Sequence, residues 1–101
     1  MAVLFIGQLR FKDRERFRLY EEAFPALFDK TNGKVIAVDD APKVMTGVWP
    51  YDRMVVLEFP TQDEAEAFFS SPAYKAIAVD RDAGAELTAV IVPRYDGPVG
   101  K

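Results

Sequence analysis

The chain contains neither cysteine nor histidine among its 101 residues. Without cysteine it has no disulfides, thiolate nucleophiles or Cys-ligated zinc and iron–sulfur sites, which excludes a disulfide-stapled secreted module. Without histidine it lacks the usual general base near neutral pH and the commonest transition-metal ligand. Ser–His–Asp hydrolysis and His-ligated haem or iron are therefore excluded within one chain. We predict no metal site and no cofactor, and any catalysis has to use carboxyl, phenol, amine, guanidinium, hydroxyl or backbone groups.

The chain also lacks an excess of positive charge and has no long apolar run. The net charge of −3, with no calcium-loop, phosphate-loop or basic–aromatic motif, argues against nucleic acid as a partner. The apolar run at residues 3–6 is soon interrupted by Gln8 and Arg10, so it is too short for a signal peptide or a membrane helix. We expect a cytoplasmic protein with no membrane partner. The length favours a single domain, assigned to residues 1–94, with a Gly/Pro-rich tail at 95–101.

The apolar patterns predict strands at residues 2–11, 34–39, 53–59 and 85–92, and a helix at 14–30 that continues, kinked, past Pro25. A further helical unit in two pieces lies between the third and fourth strands. Its first piece opens with Thr61 and Glu64, which fit a capping box, and its second with Ser71 as N-cap and Pro72 at the first position. The order β-α-β-β-α-β is that of a ferredoxin-like α+β fold, an antiparallel sheet with helices on one face.

Three strands are apolar on both faces, at residues 3–6, 54–57 and 89–92. Helices cover only one face of such a sheet, so a monomer would expose a large apolar patch, which soluble monomers rarely do. A second copy packed sheet to sheet is the simplest cover, so we expect a homodimer. The alternative is that residues 40–52 or the tail cover the patch.

Several motifs together resemble the family catalogued as domain of unknown function 1330, over residues 3 to about 97. They are Arg53-x5-Phe59-Pro60, the acidic helix start that follows, Phe68-Phe69, Ser71-Pro72-x-Tyr74, Arg81, Phe17-x2-Tyr20-x4-Pro25 and Gly47-x-Trp49. The resemblance implies the dimeric α/β-barrel group of ferredoxin-like proteins, in agreement with the strand pattern. It implies no activity, because the family has no settled one.

Two charged residues of the third strand are candidates for chemistry. Arg53 begins the strand on the face of Leu57, where it could hold an anionic ligand, although a structural ion pair is the preferred interpretation. Glu58 lies on the opposite face, where an apolar setting could raise its pKa and make it an acid or base. An ion pair with an Arg or Lys is again preferred. The two cannot share a pocket within one flat strand.

Aromatic side chains of the helices are candidates for the wall of a pocket. Tyr74 and Arg81 are two helical turns apart and could line its mouth, with Tyr20 and Phe24 opposite, although plain amphipathic packing is preferred. Trp49 is either a lid or a dimer-interface anchor. The candidate catalytic residues are thus Arg53, Tyr74 and Glu58, and the candidate ligand-binding residues are Arg53, Tyr74, Arg81, Tyr20, Phe24 and Trp49.

The function expected from these features is binding of a small apolar or anionic molecule in a pocket between the helices and the sheet. A cofactor-independent isomerase- or monooxygenase-like enzyme is the catalytic version of this hypothesis, by analogy of fold. Arg53 would anchor or polarise the substrate, and Tyr74 or Glu58 would move the proton. The alternative is a non-catalytic homodimeric sensor or assembly module with a filled core. Haem binding through a tyrosine is a third, weaker hypothesis.

Overall fold

The computed structural model describes residues 1–95, which form one four-stranded sheet and three helices. The tail expected at residues 95–101 lies outside the described residues except for Tyr95. The elements, in chain order, are β1 (Val3–Phe11), α1 (Arg14–Phe28), β2 (Lys34–Asp39), β3 (Arg53–Phe59), α2 (Gln62–Ser70), α3 (Pro72–Gly84) and β4 (Ala85–Pro93). In this part of the chain, no helix combines the length and the apolar character needed to cross a bilayer.

The sheet has the strand order β2-β3-β1-β4, and every pair of neighbours is antiparallel. Phe5 at the middle of β1 is paired with Leu57 of β3 and Ile91 of β4. The edge strand β2 changes register between Val35 and Ala37. This arrangement confirms the predicted ferredoxin-like α+β fold.

Helix α1 begins and continues as its sequence predicts. The Asp13 carboxylate accepts a hydrogen bond from the Arg16 amide at 3.2 Å, which satisfies one of the free donors of the first turn. The helix then runs through Pro25 and ends at Phe28. Proline therefore removes a donor from α1 without ending it, because the apolar stripe on both sides of Pro25 still faces the sheet.

The two short helices are capped by hydroxyl groups. Ser71 Oγ accepts from the Tyr74 amide at 3.2 Å, as predicted, and Thr61 Oγ1 accepts from the Glu64 amide at 3.1 Å. The other half of the predicted capping box is a hydrogen bond from the Thr61 amide to the Glu64 carboxylate, and this half is wrong, because no such bond is made within residues 1–95. The Glu64 carboxylate instead accepts a hydrogen bond from Asn32 Nδ2 at 3.0 Å. Glu64 therefore ties α2 to the loop after α1, a contact that local sequence spacing does not predict.

The two faces of the sheet differ in what covers them. The face toward the helices carries the core, which includes Val3, Leu57, Phe59, Phe68 and Tyr74. The opposite face, which we call the open face, has no helix on it, and its centre is apolar. Val90 is 54% exposed there, and its neighbours are half-buried. By register, the apolar residues of the open face are Leu4, Ile6, Ala37, Met54, Val56, Val90 and Val92.

The segment between β2 and β3 forms neither helix nor strand, and it is fixed to the end of β1. The Asp52 amide donates to the Leu9 carbonyl at 2.7 Å, and the Asp52 carboxylate accepts from the Phe11 amide at 2.8 Å. Arg10 Nε, on the open face, donates to the Pro50 carbonyl at 3.0 Å. The segment thus reaches the rim of the open face beside Arg10.

Gly84, at the junction of α3 and β4, brings the start of α1 into backbone contact. Its carbonyl accepts from the amides of Lys12 and Asp13 at 2.8 and 3.0 Å. A Cβ at this position would lie 2.4 Å from the Phe17 nitrogen and 2.7 Å from the Asp13 carbonyl oxygen. The close approach of α1 therefore requires glycine here.

We expect Gly84→Ala to lower the free energy of unfolding by roughly 1–3 kcal/mol or more, since the clash is with backbone and not with a movable side chain. Ala83→Leu is the control, because it adds a larger group at an exposed neighbouring position and should change stability by less than about 0.5 kcal/mol. Urea unfolding of both variants measures the difference. Equal midpoints for Gly84→Ala and the parent protein would show that the helix contact is not tight.

Candidate functional site

A cavity of about 240 Å³ lies between the helices and the sheet. All four strands and all three helices contribute to its wall, which is almost entirely apolar. It is partly enclosed, with the exposed side chains of Val35 and Val38 from the edge strand β2 at one side. The lining residues are Phe5, Gly7, Leu9, Phe17, Tyr20, Glu21, Phe24, Pro25, Val35, Val38, Arg53, Val55, Leu57, Phe69, Tyr74, Arg81 and Leu87.

The floor of the cavity is Gly7, in the middle of β1. It lies opposite Val55 of β3 and Ala89 of β4, on the face toward the helices. A Cβ on Gly7 would stand 3.1 Å from the Phe5 ring and 3.3 Å from Leu87 Cδ1. The absence of a side chain at Gly7 therefore keeps space open in the core. Our sequence analysis missed this residue, although a glycine inside an apolar strand often marks a place where another group comes close.

The polar end of the cavity is formed by two phenols and a guanidinium group. The hydroxyl oxygens of Tyr20 and Tyr74 are 2.8 Å apart, and Arg81 Nη1 donates to the Tyr74 hydroxyl at 2.8 Å. Burial raises the pKa of Tyr20, and the adjacent Tyr74 raises it further, so Tyr20 is a neutral phenol at physiological pH. The site thus presents neutral hydroxyl groups backed by a cation.

Helix geometry explains why these side chains meet. Tyr74 and Arg81 are seven residues apart on α3, so they lie on one face of that helix. Tyr20 comes from α1, and its ring contacts that of Tyr74 edge to face with centroids 6.0 Å apart. Phe24, one turn after Tyr20, also lines the cavity. The structure therefore brings together the four helical side chains that were candidates for a pocket wall, although amphipathic packing was the preferred interpretation.

Arg53 lines the other end of the cavity and is held by carboxylates on both sides. Its Nε and Nη2 donate to the two carboxylate oxygens of Asp40, and its Nη1 donates to Glu21 Oε2 at 2.7 Å. The hydrogen bond from Arg53 lowers the pKa of Asp40, and the same bond raises the pKa of Arg53. The preferred ion-pair interpretation of Arg53 therefore describes its contacts here, and its side chain also lines the cavity.

The partners of Arg53 come from two separate parts of the chain: Glu21 lies on α1, and Asp40 follows β2 directly. Arg14 approaches Asp40 at 3.6 Å as well. The four side chains, two cations and two carboxylates, are formally neutral as a group. They join α1 to the start of the segment between β2 and β3.

Glu58 lies on the open face, away from this cavity, as its position in β3 predicts. Its Oε1 accepts a hydrogen bond from Arg94 Nη1 at 2.8 Å. Arg94 follows β4 directly, so the ion pair joins the two strands that flank β1. Glu58 and Arg53 are on opposite faces, and a site containing both groups is not formed within one chain.

Trp49 lies in the irregular segment and is not part of the cavity wall. Its ring packs against Tyr51 with centroids 5.2 Å apart. Its Nε1 is buried and has no hydrogen-bond partner within the described part of the chain. The predicted ligand-binding role of Trp49 thus has no counterpart in the lining of this cavity.

A second recess of about 390 Å³ lies beside α3. It shares Phe5, Phe69, Tyr74 and Arg81 with the first cavity and adds Lys75 and Asp82 at its rim. The Tyr74–Arg81 pair therefore stands between the two spaces. Over residues 1–95, no cluster of three or more acidic side chains is arranged to hold a metal ion.

The Asp40–Arg53 pair generates a pH-dependent prediction. Because the pKa of Asp40 is lower in the folded state, its contribution to stability is complete above its unfolded pKa of about 4 and is lost as the pH falls through the folded pKa. We expect Asp40→Asn to cost less than about 1 kcal/mol near neutral pH, since the carboxylate is half exposed. The difference from the parent should vanish in acid.

Glu22→Gln is the control for this experiment, because Glu22 is an exposed carboxylate of α1 outside the ion pairs of residues 1–95. Urea unfolding of the parent and both variants between pH 7 and pH 3 gives the comparison. A stability loss in Asp40→Asn that persists unchanged at the acid end would contradict an electrostatic contribution.

Comparisons with known proteins agree with this architecture. A protein of unknown function from Rhodopseudomonas palustris superposes with a TM-score of 0.81 at 14% identity, over 95% of this chain and 84% of that one. A dimeric ferredoxin-like protein from Thermobifida fusca gives 0.66 at 19%, over 93% and 92%. SnoaB, a cofactor-independent oxygenase from Streptomyces nogalater, gives 0.69 at 10%, over 99% and 98%.

At these identities the likeness establishes the fold, and the neighbours include ferredoxin-like proteins that are dimers. No curated protein has a significantly similar sequence. A family model matches nearly the whole chain, over residues 2–95. The predicted resemblance is thereby confirmed: the chain belongs to the family described as a domain of unknown function, DUF1330.

Proposed function

We propose that this protein is a homodimer that binds a small apolar molecule in the cavity between its helices and its sheet. The observation that carries the proposal is an apolar cavity of about 240 Å³ with a single phenol–guanidinium cluster at one end. A compact core normally leaves few voids larger than a water molecule, so this much space in a small domain calls for an occupant. Apolar walls with a few convergent polar groups are typical of ligand pockets.

The charges around the cavity distinguish its two ends. Arg53 is paired with Asp40 and Glu21, so an anionic ligand placed there would also meet two carboxylates. Arg81 is paired with one carboxylate, that of Asp82, which is largely exposed to solvent. An anionic or strongly polar group of the ligand would therefore lie toward Tyr20, Tyr74 and Arg81. In this proposal Arg53 stabilises the wall of the cavity through its ion pairs and is not the main contact for the ligand.

Catalysis by the same cavity is the narrower form of the proposal, as an isomerase- or monooxygenase-like reaction that needs no cofactor. What favours it is a titratable pair inside an apolar space, together with the shared fold of SnoaB, which is a cofactor-independent oxygenase. Tyr74 or Tyr20 would move the proton. Glu58 has no part in this version, because it faces away from the cavity.

A non-catalytic sensor or assembly module remains the alternative. A module of this kind that binds no ligand would have a filled core. The open space above Gly7 is evidence against such a module. A sensor that binds a ligand without transforming it shares the site proposed here.

The homodimer is proposed from the open face. Its centre is apolar, from Leu4 and Ile6 on β1 to Val90 on β4, and solvent exposure of a patch of this kind is unfavourable. A second copy related by a two-fold axis would place the same patch against itself. Dimeric neighbours with this fold support the pairing. Trp49 and Tyr51, near the rim at Arg10, would then lie close to the partner.

Filling the floor of the cavity tests the binding site. We expect Gly7→Val to weaken binding of α-methylstyrene, a small apolar probe, at least roughly tenfold, because the new methyl groups would occupy the space above β1. Ala89→Val, on the neighbouring strand and the same face but outside the cavity lining, is the matched control and should bind normally. Ligand-observed NMR titration gives the affinities. Equal affinity in Gly7→Val and the parent would place the probe elsewhere.

A lysine on the open face tests the dimer. Val90 is 54% exposed in one chain, so Val90→Lys should fold normally but bury a charge in the proposed interface. We expect this variant to be monomeric in native mass spectrometry at micromolar concentration, and the parent to be dimeric. Leu19→Lys, at a similarly exposed apolar position on α1, is the control and should remain dimeric. A monomeric parent, or a dimeric Val90→Lys, would refute the sheet-to-sheet arrangement.

A further inference from the structure

The hydrogen bonds at the polar end of the cavity leave one phenolic proton unused. Tyr20 and Tyr74 each carry one O–H donor, and the 2.8 Å contact between their oxygens uses one of the two protons. The third member, Arg81, donates to Tyr74 and has no acceptor atom to offer. Among residues 1–95, no other hydrogen bond is made by either phenol. Whichever tyrosine donates to the other, a single O–H group remains for the cavity.

Either phenol could be the donor in the Tyr20–Tyr74 hydrogen bond, so the direction has to be argued from the position of the Arg81 cation. The Tyr74 oxygen accepts from the positively charged Arg81, which polarises the Tyr74 O–H bond and makes it a stronger donor. The favourable arrangement is therefore donation from Arg81 to Tyr74 and from Tyr74 to Tyr20. In this order Tyr20 is the last member of the relay, and residues 1–95 supply no acceptor for its own proton.

We propose that the Tyr20 hydroxyl, backed by Tyr74 and Arg81, is the specificity-determining donor of the cavity, and that it selects ligands with an acceptor oxygen on an apolar body. This inference rests on the proposed function, because it assumes that the cavity is the binding site. A carbonyl or an enolate oxygen has the required chemistry. A cationic relay behind the donor would favour the enolate further, since the interaction grows with negative charge on the oxygen.

The apolar wall makes this selection effective. A hydrogen-bond donor without a partner in an apolar space is unfavourable in free energy. When a hydrocarbon displaces water from Tyr20, the Tyr20 hydroxyl loses its hydrogen bond to that water, and the hydrocarbon offers no acceptor in its place. An aryl ketone of the same shape restores that bond. The discrimination should therefore appear as a difference between two ligands of equal size, and not as a general loss of binding.

Acetophenone and α-methylstyrene form a suitable pair, because they differ only by a carbonyl oxygen in place of a methylene group. We expect the parent protein to bind acetophenone roughly threefold to tenfold more tightly than α-methylstyrene, the range that a single hydrogen bond supplies. We expect Tyr20→Phe to bind both with nearly equal affinity. The measurement is the ratio of the two dissociation constants by ligand-observed NMR, with each probe also corrected for its partition into an apolar solvent.

Two further variants separate a donor role from a structural one. Tyr74→Phe should lower the ratio only in part, because the Tyr20 hydroxyl remains while its polarisation is lost. Tyr51→Phe, outside the lining of both cavities, should leave the ratio unchanged. A merely structural Tyr20 would weaken both probes together and leave their ratio as in the parent.

The outcomes also distinguish this inference from the proposed function. If both probes bind and the parent shows no preference for acetophenone, the donor assignment is wrong while the cavity remains the binding site. If the preference survives in Tyr20→Phe and disappears in Tyr74→Phe, Tyr20 is not the donor. If neither probe binds, the proposed function and this inference are both refuted.

Discussion

The packing of α1 against α3 determines where a cavity remains between the helices and the sheet. The two helices meet through the paired hydroxyls and edge-to-face rings of Tyr20 and Tyr74. Both helices are held at their ends, α1 by the backbone contact at Gly84 and α3 by the Ser71 cap. They cannot collapse onto β1, and because Gly7 offers no side chain to fill the gap, a cavity remains beneath them. The cavity thus depends on the contact between α1 and α3 as well as on the sheet.

Much of the fold could be predicted from local patterns. The apolar runs and the hydroxyl caps each act over a few residues, so strand and helix positions followed from them. The same holds for Tyr74 and Arg81, since their shared helix face depends only on spacing. Contacts between distant segments were not predictable in this way. Asp40 and Glu21 are 13 and 32 residues from Arg53 in sequence, and nothing in their neighbourhoods shows that Arg53 will lie between them.

The two faces of the sheet form different surfaces, and β1 contributes residues to both. Its odd-numbered residues, from Val3 to Leu9, contribute to the core or the cavity, while Leu4 and Ile6 are at the centre of the open face. Alternation in a strand separates these sets cleanly. Closing the open face against a second copy would therefore stiffen the strand that forms the floor of the cavity without placing any new group inside it. Substitutions on one face should leave the chemistry of the other largely intact.

The two arginines of the cavity are similarly buried, but their charges are balanced to different extents. Arg53 has 13% of its side chain exposed and Arg81 has 19%. The charge of Arg53 is matched by two carboxylates on its own chain, and its guanidinium also lies over the ring of Phe17 at 5.7 Å. Arg81 is matched by one exposed carboxylate and otherwise donates to a neutral phenol, so more of its field reaches the cavity. Arg53, whose charge is already balanced, contributes to the structure of the cavity wall. Arg81 donates to the Tyr74 hydroxyl and can make that phenol a better hydrogen-bond donor. Residue type and position in the sequence pointed to both arginines, but only their partners decide which of them can act on a ligand.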